Sequence, residues 1–159
     1  MDSPFVSQIN AVTLDLWDTL IHDDPDGGST RSAVRIQGIQ DVLRQVGEEF
    51  PKSQIGEALQ QCRDACWAMQ RKGRDISFSA QVRTFLQAMD MDLLRRVDGA
   101  TMDLVARRYA DAFWAYPPRL DPAVPSTLTA LRQKGYKLGL ISNTGATPGH
   151  LFRDYLARL

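Results

Sequence analysis

The sequence has no excess of charge of either sign. Its 159 residues include 19 Lys and Arg against 19 Asp and Glu, so the formal net charge is zero. Proteins that bind nucleic acids or anionic membranes electrostatically usually carry a one-signed, basic field. We therefore expect neither nucleic acid nor a membrane surface among the partners of this protein.

Long hydrophobic runs are also missing. No segment approaches the roughly 18 continuous apolar residues of a membrane span. The first ten residues, M-D-S-P-F-V-S-Q-I-N, lack a basic region followed by an apolar run, so no signal peptide is predicted. These absences favour a cytoplasmic location.

Cysteine is scarce, and the two that occur do not form a metal-binding motif. Cys62 and Cys66 are four residues apart, with no C-x-x-C pair and no nearby histidine cluster. This spacing places both thiols on one face of a helix, where free cysteine behaves as a small hydrophobic residue. We predict that they pack in the core.

Two short apolar runs lie on either side of a long helical region. The run that begins at Ala11 and ends at Asp15 and the run from Tyr136 to Ile141 are typical of buried strands, and residues 22–30 are typical of a turn or hinge. Four amphipathic helices are predicted between residues 30 and 116, one more between Pro122 or Pro125 and Gly135, and a last one from about Pro148. Strand, helix and strand in this order predict a parallel pair.

Polar residues follow both predicted strands. Asp15 comes at the end of the first apolar run, and Ser142 and Asn143 come after the second. In open α/β sheets, ligands bind beyond the carboxyl ends of parallel strands. From the residues alone, Asp15 is equally compatible with an ordinary strand end, and Ser142 and Asn143 are more typical of a turn.

The segments D-L-W-D-T-L at residues 15–20 and L-G-L-I-S-N-T at residues 138–144, separated by predicted helices, resemble the haloacid dehalogenase-like (HAD) hydrolase superfamily. The similarity is greatest to members with a helical cap after the first motif. The resemblance implies an α/β fold: an incomplete Rossmann-like core of parallel strands, formed by residues 1–21 and 117–159, and a helical cap formed by residues 22–116.

The resemblance also implies roles for individual residues. Asp15 would be the nucleophile that forms a covalent aspartyl intermediate. Mg²⁺ would be held by Asp15, by the backbone carbonyl of Trp17 and by an acidic residue from a later strand. The Ser142 hydroxyl and the Asn143 N–H would bind the phosphoryl group of a small substrate.

Two departures from the family pattern limit the expected activity. Trp17 occupies the position of the general acid of the phosphatases, and indole exchanges no protons at neutral pH. The family's third and fourth motifs, a lysine and an acidic metal ligand, have no counterpart after residue 144. We therefore expect a phosphatase-type hydrolase, of which this chain is an N-terminal portion that is inactive alone.

Two alternatives stay open. Haloacid dehalogenases also carry an aromatic residue at the position of Trp17, because halide leaves without a proton; their substrates are halogenated acids. A truncated or degenerate chain without catalytic activity fits the missing motifs as well. The sequence does not specify the substrate or the oligomeric state.

Overall fold

The computed structural model describes residues 9–159. The absence of a signal peptide stays a prediction, because residues 1–8 lie outside the described residues. The chain divides into two compact units. The strand unit comprises Met1–Asp24 and Pro118–Asn143, and the helical unit comprises Pro25–Pro117 and Thr144–Leu159. None of the helices within residues 9–159 has the length and apolar character needed to cross a membrane.

The strand unit contains a parallel pair of strands. β1 (Ala11–Leu14) pairs with β4 (Lys137–Leu140), in a register that runs from Ala11 opposite Lys137 to Leu14 opposite Leu140. The pairing extends by one hydrogen bond at the far end, where the Ile141 N–H donates to the Leu14 carbonyl at 2.9 Å. The predicted α/β class and parallel pair are confirmed.

A second, antiparallel pair in this unit is absent from the predictions. β2 (Ile21–His22) pairs with β3 (Arg119–Leu120), and the Asp121 N–H donates to the Leu20 carbonyl at 2.9 Å. Strands of two residues are too short to produce the alternation by which strands are recognised in a sequence. The β2–β3 pair joins the residues just before the long helical segment to the residues just after it.

The four amphipathic helices predicted for residues 30–116 are confirmed as α1, α2, α3 and α5. The helical unit as a whole contains α1 (Gly27–Gln45), α2 (Lys52–Gln70), α3 (Phe78–Met89), α4 (Leu93–Arg96), α5 (Gly99–Asp111), a 3₁₀ turn (Ala112–Ala115) and α7 (Gly149–Leu156). The remaining helix, α6 (Val124–Gln133), precedes β4 in the strand unit.

The start of α1 differs from the sequence prediction. Residues 27–30, predicted as part of a turn, already belong to the helix, and the Thr30 N–H donates to the Asp26 carbonyl at 2.9 Å. Glycine and serine are less unfavourable in the first turn of a helix than in its interior, because several N–H groups of the first turn lack an intrahelical partner in any case. The linker is therefore shorter than expected.

Capping residues define several helix ends. The side chains of Ser77 and Asp98 accept hydrogen bonds from the N–H groups of Ala80 and Thr101. Gly135 ends α6 with a φ of 86°, in the left-handed region that glycine enters without steric cost. The predicted end of this helix at Gly135 is thus confirmed by its backbone geometry.

Tyr109 lies at the centre of the core of the helical unit. Its side chain is 1% exposed, and its ring lies 5.5 Å from that of Phe85 and 5.9 Å from that of Phe78, centroid to centroid. Cys62 and Cys66 are buried in the same cluster, as predicted. Burial raises the pKa of the Cys62 thiol to about 11, which keeps it protonated and unreactive at neutral pH.

A second aromatic group joins the end of the chain to this unit. The ring of Phe113 lies 5.2 Å from that of Phe152 and 5.6 Å from that of Tyr155, both in near-perpendicular arrangements. These contacts explain why residues 144–159 cluster with the helical unit. The division into a core of residues 1–21 and 117–159 and a cap of residues 22–116 stays a prediction.

Replacing Phe85 by alanine tests the contribution of this core. Phe85 is fully buried, so Phe85→Ala removes apolar contacts and leaves a cavity, and we expect a loss of about 3–5 kcal/mol in the free energy of unfolding. Urea denaturation measures it. Trp67→Ala, at a side chain that is 56% exposed, is the control and should cost less than about 1 kcal/mol. Equal losses in the two variants would contradict this assignment of the core.

An ion-pair network predicts a pH dependence of stability. Arg96 contacts Glu48 at 2.7 Å and Asp90 at 2.8 Å. Its hydrogen bond lowers the pKa of Asp90 below the ordinary aspartate value. At pH values above about 3.9, the ordinary pKa of aspartate, Asp90 therefore stabilises the folded protein. This stabilisation is lost as the pH falls through the lowered pKa.

We expect Asp90→Asn to lower the midpoint of thermal unfolding at pH 7, and the difference from wild type to shrink steadily below about pH 4. Asp103→Asn is the control, because Asp103 is exposed and forms no ion pair within residues 9–159. A difference that stays constant down to pH 2.5, where nearly all aspartates with the ordinary pKa of about 3.9 are protonated, would contradict this role of Asp90.

Candidate functional site

The ends of β1 and β4 bring the predicted site residues to the same edge of the sheet. Asp15 is the first residue after β1, and Ser142 and Asn143 are the second and third after β4. Since Leu14 pairs with Leu140, both strands end at the same level. Asp15 and Ser142 are far apart in the sequence, and the parallel pairing of β1 with β4 makes them neighbours.

Asp15 is exposed, and its carboxylate forms a local hydrogen bond. Its Oδ1 accepts from the Leu16 N–H at 2.8 Å. The second carboxylate oxygen has no hydrogen-bond partner within residues 9–159. The backbone bond holds the side chain near its own strand end and leaves Oδ2 available to a ligand. Asp15 thus presents one carboxylate oxygen to solvent at the end of β1.

Ser142 is half-buried and Asn143 is exposed. Within the described part of the chain, the side chains of these two residues form no hydrogen bonds with other residues. Their hydroxyl and amide groups are therefore free to bind a ligand. Ser142 can donate one hydrogen bond through its hydroxyl, and the backbone N–H of Asn143 can donate another.

The segment after Asp15 is a compact turn. The N–H groups of Leu20 and Ile21 both donate to the Leu16 carbonyl, at 2.9 and 3.0 Å, and the Asp18 N–H donates to the Ile21 carbonyl at 2.9 Å. Asp18 has a φ of 55°, in the left-handed region. Asp18 therefore belongs to a turn and not to an extended strand.

His22 is a residue of this region that the sequence interpretation missed. Its Nδ1 lies 3.9 Å from Asp18 Oδ1, and its Nε2 lies 3.6 Å from Asp121 Oδ2. The sequence placed His22 in a solvated linker, whereas the β2–β3 pair holds it between the two carboxylates. No sequence signal indicates this position, because it depends on a pairing between residues about a hundred positions apart.

The residues present do not supply the ligand set that Mg²⁺ would need by family resemblance. The two strand ends contribute one carboxylate, that of Asp15, together with the uncharged Ser142 and Asn143. Within residues 9–159, no group of three or more acidic, histidine or cysteine side chains is placed to hold a metal ion. Mg²⁺ prefers a near-octahedral set of oxygen ligands with carboxylates among them.

Comparison with known proteins gives limited similarity. No protein-family model matches the chain. No curated protein matches it either. Among solved structures, the chain is similar to a predicted phosphoglycolate phosphatase from Haemophilus somnus 129PT, with 16% sequence identity and a TM-score of 0.48. The similarity covers 97% of this chain and 59% of that one, so this chain spans little more than half the length of that protein.

The turn after Asp15 can be tested at Asp18. A β-branched residue is strained at a φ of 55°, whereas asparagine tolerates the left-handed conformation nearly as well as aspartate. We expect Asp18→Val to lower the free energy of unfolding by about 1–2 kcal/mol, measured by urea denaturation. Asp18→Asn is the matched control, since it removes the charge but keeps the shape. If the two variants lose the same stability, charge rather than backbone conformation determines the residue at this position.

Proposed function

We propose that this protein is a HAD-like hydrolase of the phosphatase type, which acts on a small phosphorylated molecule through a covalent aspartyl intermediate. One observation carries the proposal: Asp15 and Ser142 follow two hydrogen-bonded parallel strands that end in register. The free oxygen of Asp15 and the free hydroxyl of Ser142 support it. In this proposal, residues 22–116 form the cap that selects the substrate.

The proposed chemistry uses groups of this chain. Asp15 Oδ2 attacks the phosphorus atom, the bond to the leaving oxygen breaks with its electron pair, and an acyl phosphate forms on Asp15. The Ser142 hydroxyl and the Asn143 N–H donate hydrogen bonds to the phosphoryl oxygens as their charge grows. Water then attacks the acyl phosphate and releases inorganic phosphate and the Asp15 carboxylate.

Trp17 narrows the range of substrates in this proposal. A leaving alkoxide needs a proton, and general acid catalysis typically contributes 10²–10⁴-fold to the rate. Indole supplies no proton. Substrates with leaving groups that are stable as anions, such as acyl phosphates, are therefore favoured over ordinary phosphate monoesters.

The same residue favours one alternative, a 2-haloacid dehalogenase. Asp15 would then attack carbon and release halide, which departs without a proton, and water would hydrolyse the resulting ester. Halide release from a 2-haloacid that is lost in Asp15→Asn would support this alternative. Halide-free release of phosphate from an acyl phosphate would count against it.

The nucleophile can be tested without turnover. We expect acetyl phosphate to phosphorylate Asp15, and reduction with borohydride, which converts an acyl phosphate into an alcohol, to leave homoserine at position 15 in the peptide map. Asp18→Asn should retain the modification and Asp15→Asn should lose it. Absence of the modification, or equal modification of other exposed aspartates, would argue against Asp15 as the nucleophile.

In the same preparation we expect no steady-state hydrolysis of p-nitrophenyl phosphate with added Mg²⁺, because residues 9–159 provide one site carboxylate and no group of acidic, histidine or cysteine side chains placed to hold the metal ion. Sustained turnover that Asp15→Asn abolishes would contradict this expectation of inactivity, while leaving the role of Asp15 intact.

A further inference from the structure

An open groove lies between α1 and α5 of the helical unit. It encloses about 620 Å³, and its lining residues come from these two helices and from the start of α2, all within one unit. On α1 the lining extends from Ala33 to Gln45, a distance of about 18 Å at a rise of 1.5 Å per residue. This volume falls within the range of small-molecule sites, about 300–1,000 Å³.

The lining of this groove is largely apolar. Val34 on α1 and Leu104 on α5 are 43% and 38% exposed, and Val42 on α1 is buried. Single exposed apolar side chains are common on protein surfaces, but here two of them, on neighbouring helices, share one concave surface. A ligand with an apolar body would remove both from water, which is favourable.

Two cations also line the groove. They are Arg108 on α5 and Lys52 at the start of α2, and within residues 9–159 neither side chain forms an ion pair or a hydrogen bond. The carboxylate of the lining, that of Asp41, accepts a hydrogen bond from the Gln37 amide at 2.7 Å. Two cations against one carboxylate give the lining a net charge of +1, which favours an anionic group.

Gly38 on α1 allows Arg108 to approach the middle of the groove. A Cβ atom at Gly38 would lie 3.3 Å from Arg108 Cδ, so the stem of Arg108 packs closely on α1 at this glycine. A purely structural interpretation accounts for this contact, because arginine stems often cover apolar surface while the guanidinium stays in water. It leaves the guanidinium without a counter-charge and the exposed side chains of Val34 and Leu104 uncovered.

We propose that the groove between α1 and α5 binds a small organic anion with an apolar body, a medium-chain carboxylate. The apolar body lies against Val34 and Leu104. The carboxylate pairs with Arg108, whose planar guanidinium matches two carboxylate oxygens, and Lys52 adds attraction of the same sign. The site does not rest on the hydrolase proposal.

Calorimetric titration of the full chain with octanoate tests the site. We expect saturable binding of one octanoate, weakened about fivefold or more in Arg108→Gln, which removes the charged hydrogen-bond donor. Leu104→Gln should weaken it as well, because it replaces apolar surface by an amide. Arg107→Gln is the matched control and should bind as wild type, since Arg107 is exposed on the same helix but lines a different cavity.

Two further ligands separate the charge from the apolar body. Octanol keeps the chain without the charge, and acetate keeps the charge without the chain, so we expect each to bind at least about fivefold more weakly than octanoate. Octanol that binds as tightly as octanoate overturns the proposed anionic ligand, and acetate that binds as tightly overturns the proposed apolar contact.

Absence of saturable octanoate binding overturns the proposal. Binding that Arg108→Gln and Leu104→Gln leave unchanged also overturns it, because the ligand then lies elsewhere, and so does equal weakening in Arg107→Gln, because the effect is then one of net charge. A dimer in sedimentation that Arg108→Gln and Leu104→Gln dissociate would overturn it as well, since a second copy of the chain then fills the groove.

Discussion

The pairing of β1 with β4 is the constraint on which the candidate site depends. Its backbone hydrogen bonds join the beginning of the chain to a segment near its end, and they set the level at which Asp15 and Ser142 leave the sheet. A slip of one residue would turn every side chain of the strand to the opposite face.

The sequence predicted those features that arise from local patterns. The helical period around Ile39 and Leu43, the buried pair Cys62 and Cys66, and the helix end at Gly135 each depend on residues close together in the chain. The parallel pair followed from the order of elements, a rule about topology rather than about individual residues.

Apart from the early start of α1, the missed features depend on contacts between distant segments. The β2–β3 pair and the position of His22 need residues 21–22 and 119–120 to meet. The contacts of Phe113 with Phe152 and Tyr155, which join α7 to the helical unit, need a similar encounter. An amphipathic pattern indicates which face of a helix will be buried but not which element it packs against. The chemical assignment of the site rests on motif resemblance and on geometry.

The division into two units has a consequence for synthesis on the ribosome. The chain passes between the units three times, after Asp24, Pro117 and Asn143. β1 leaves the ribosome before β4, with which it pairs, and β4 follows on the order of ten seconds later at about 5–20 residues per second. During this interval the helices between them can form through local contacts, which need little loop closure. The strand that carries the candidate nucleophile is thus made before those helices and paired after them.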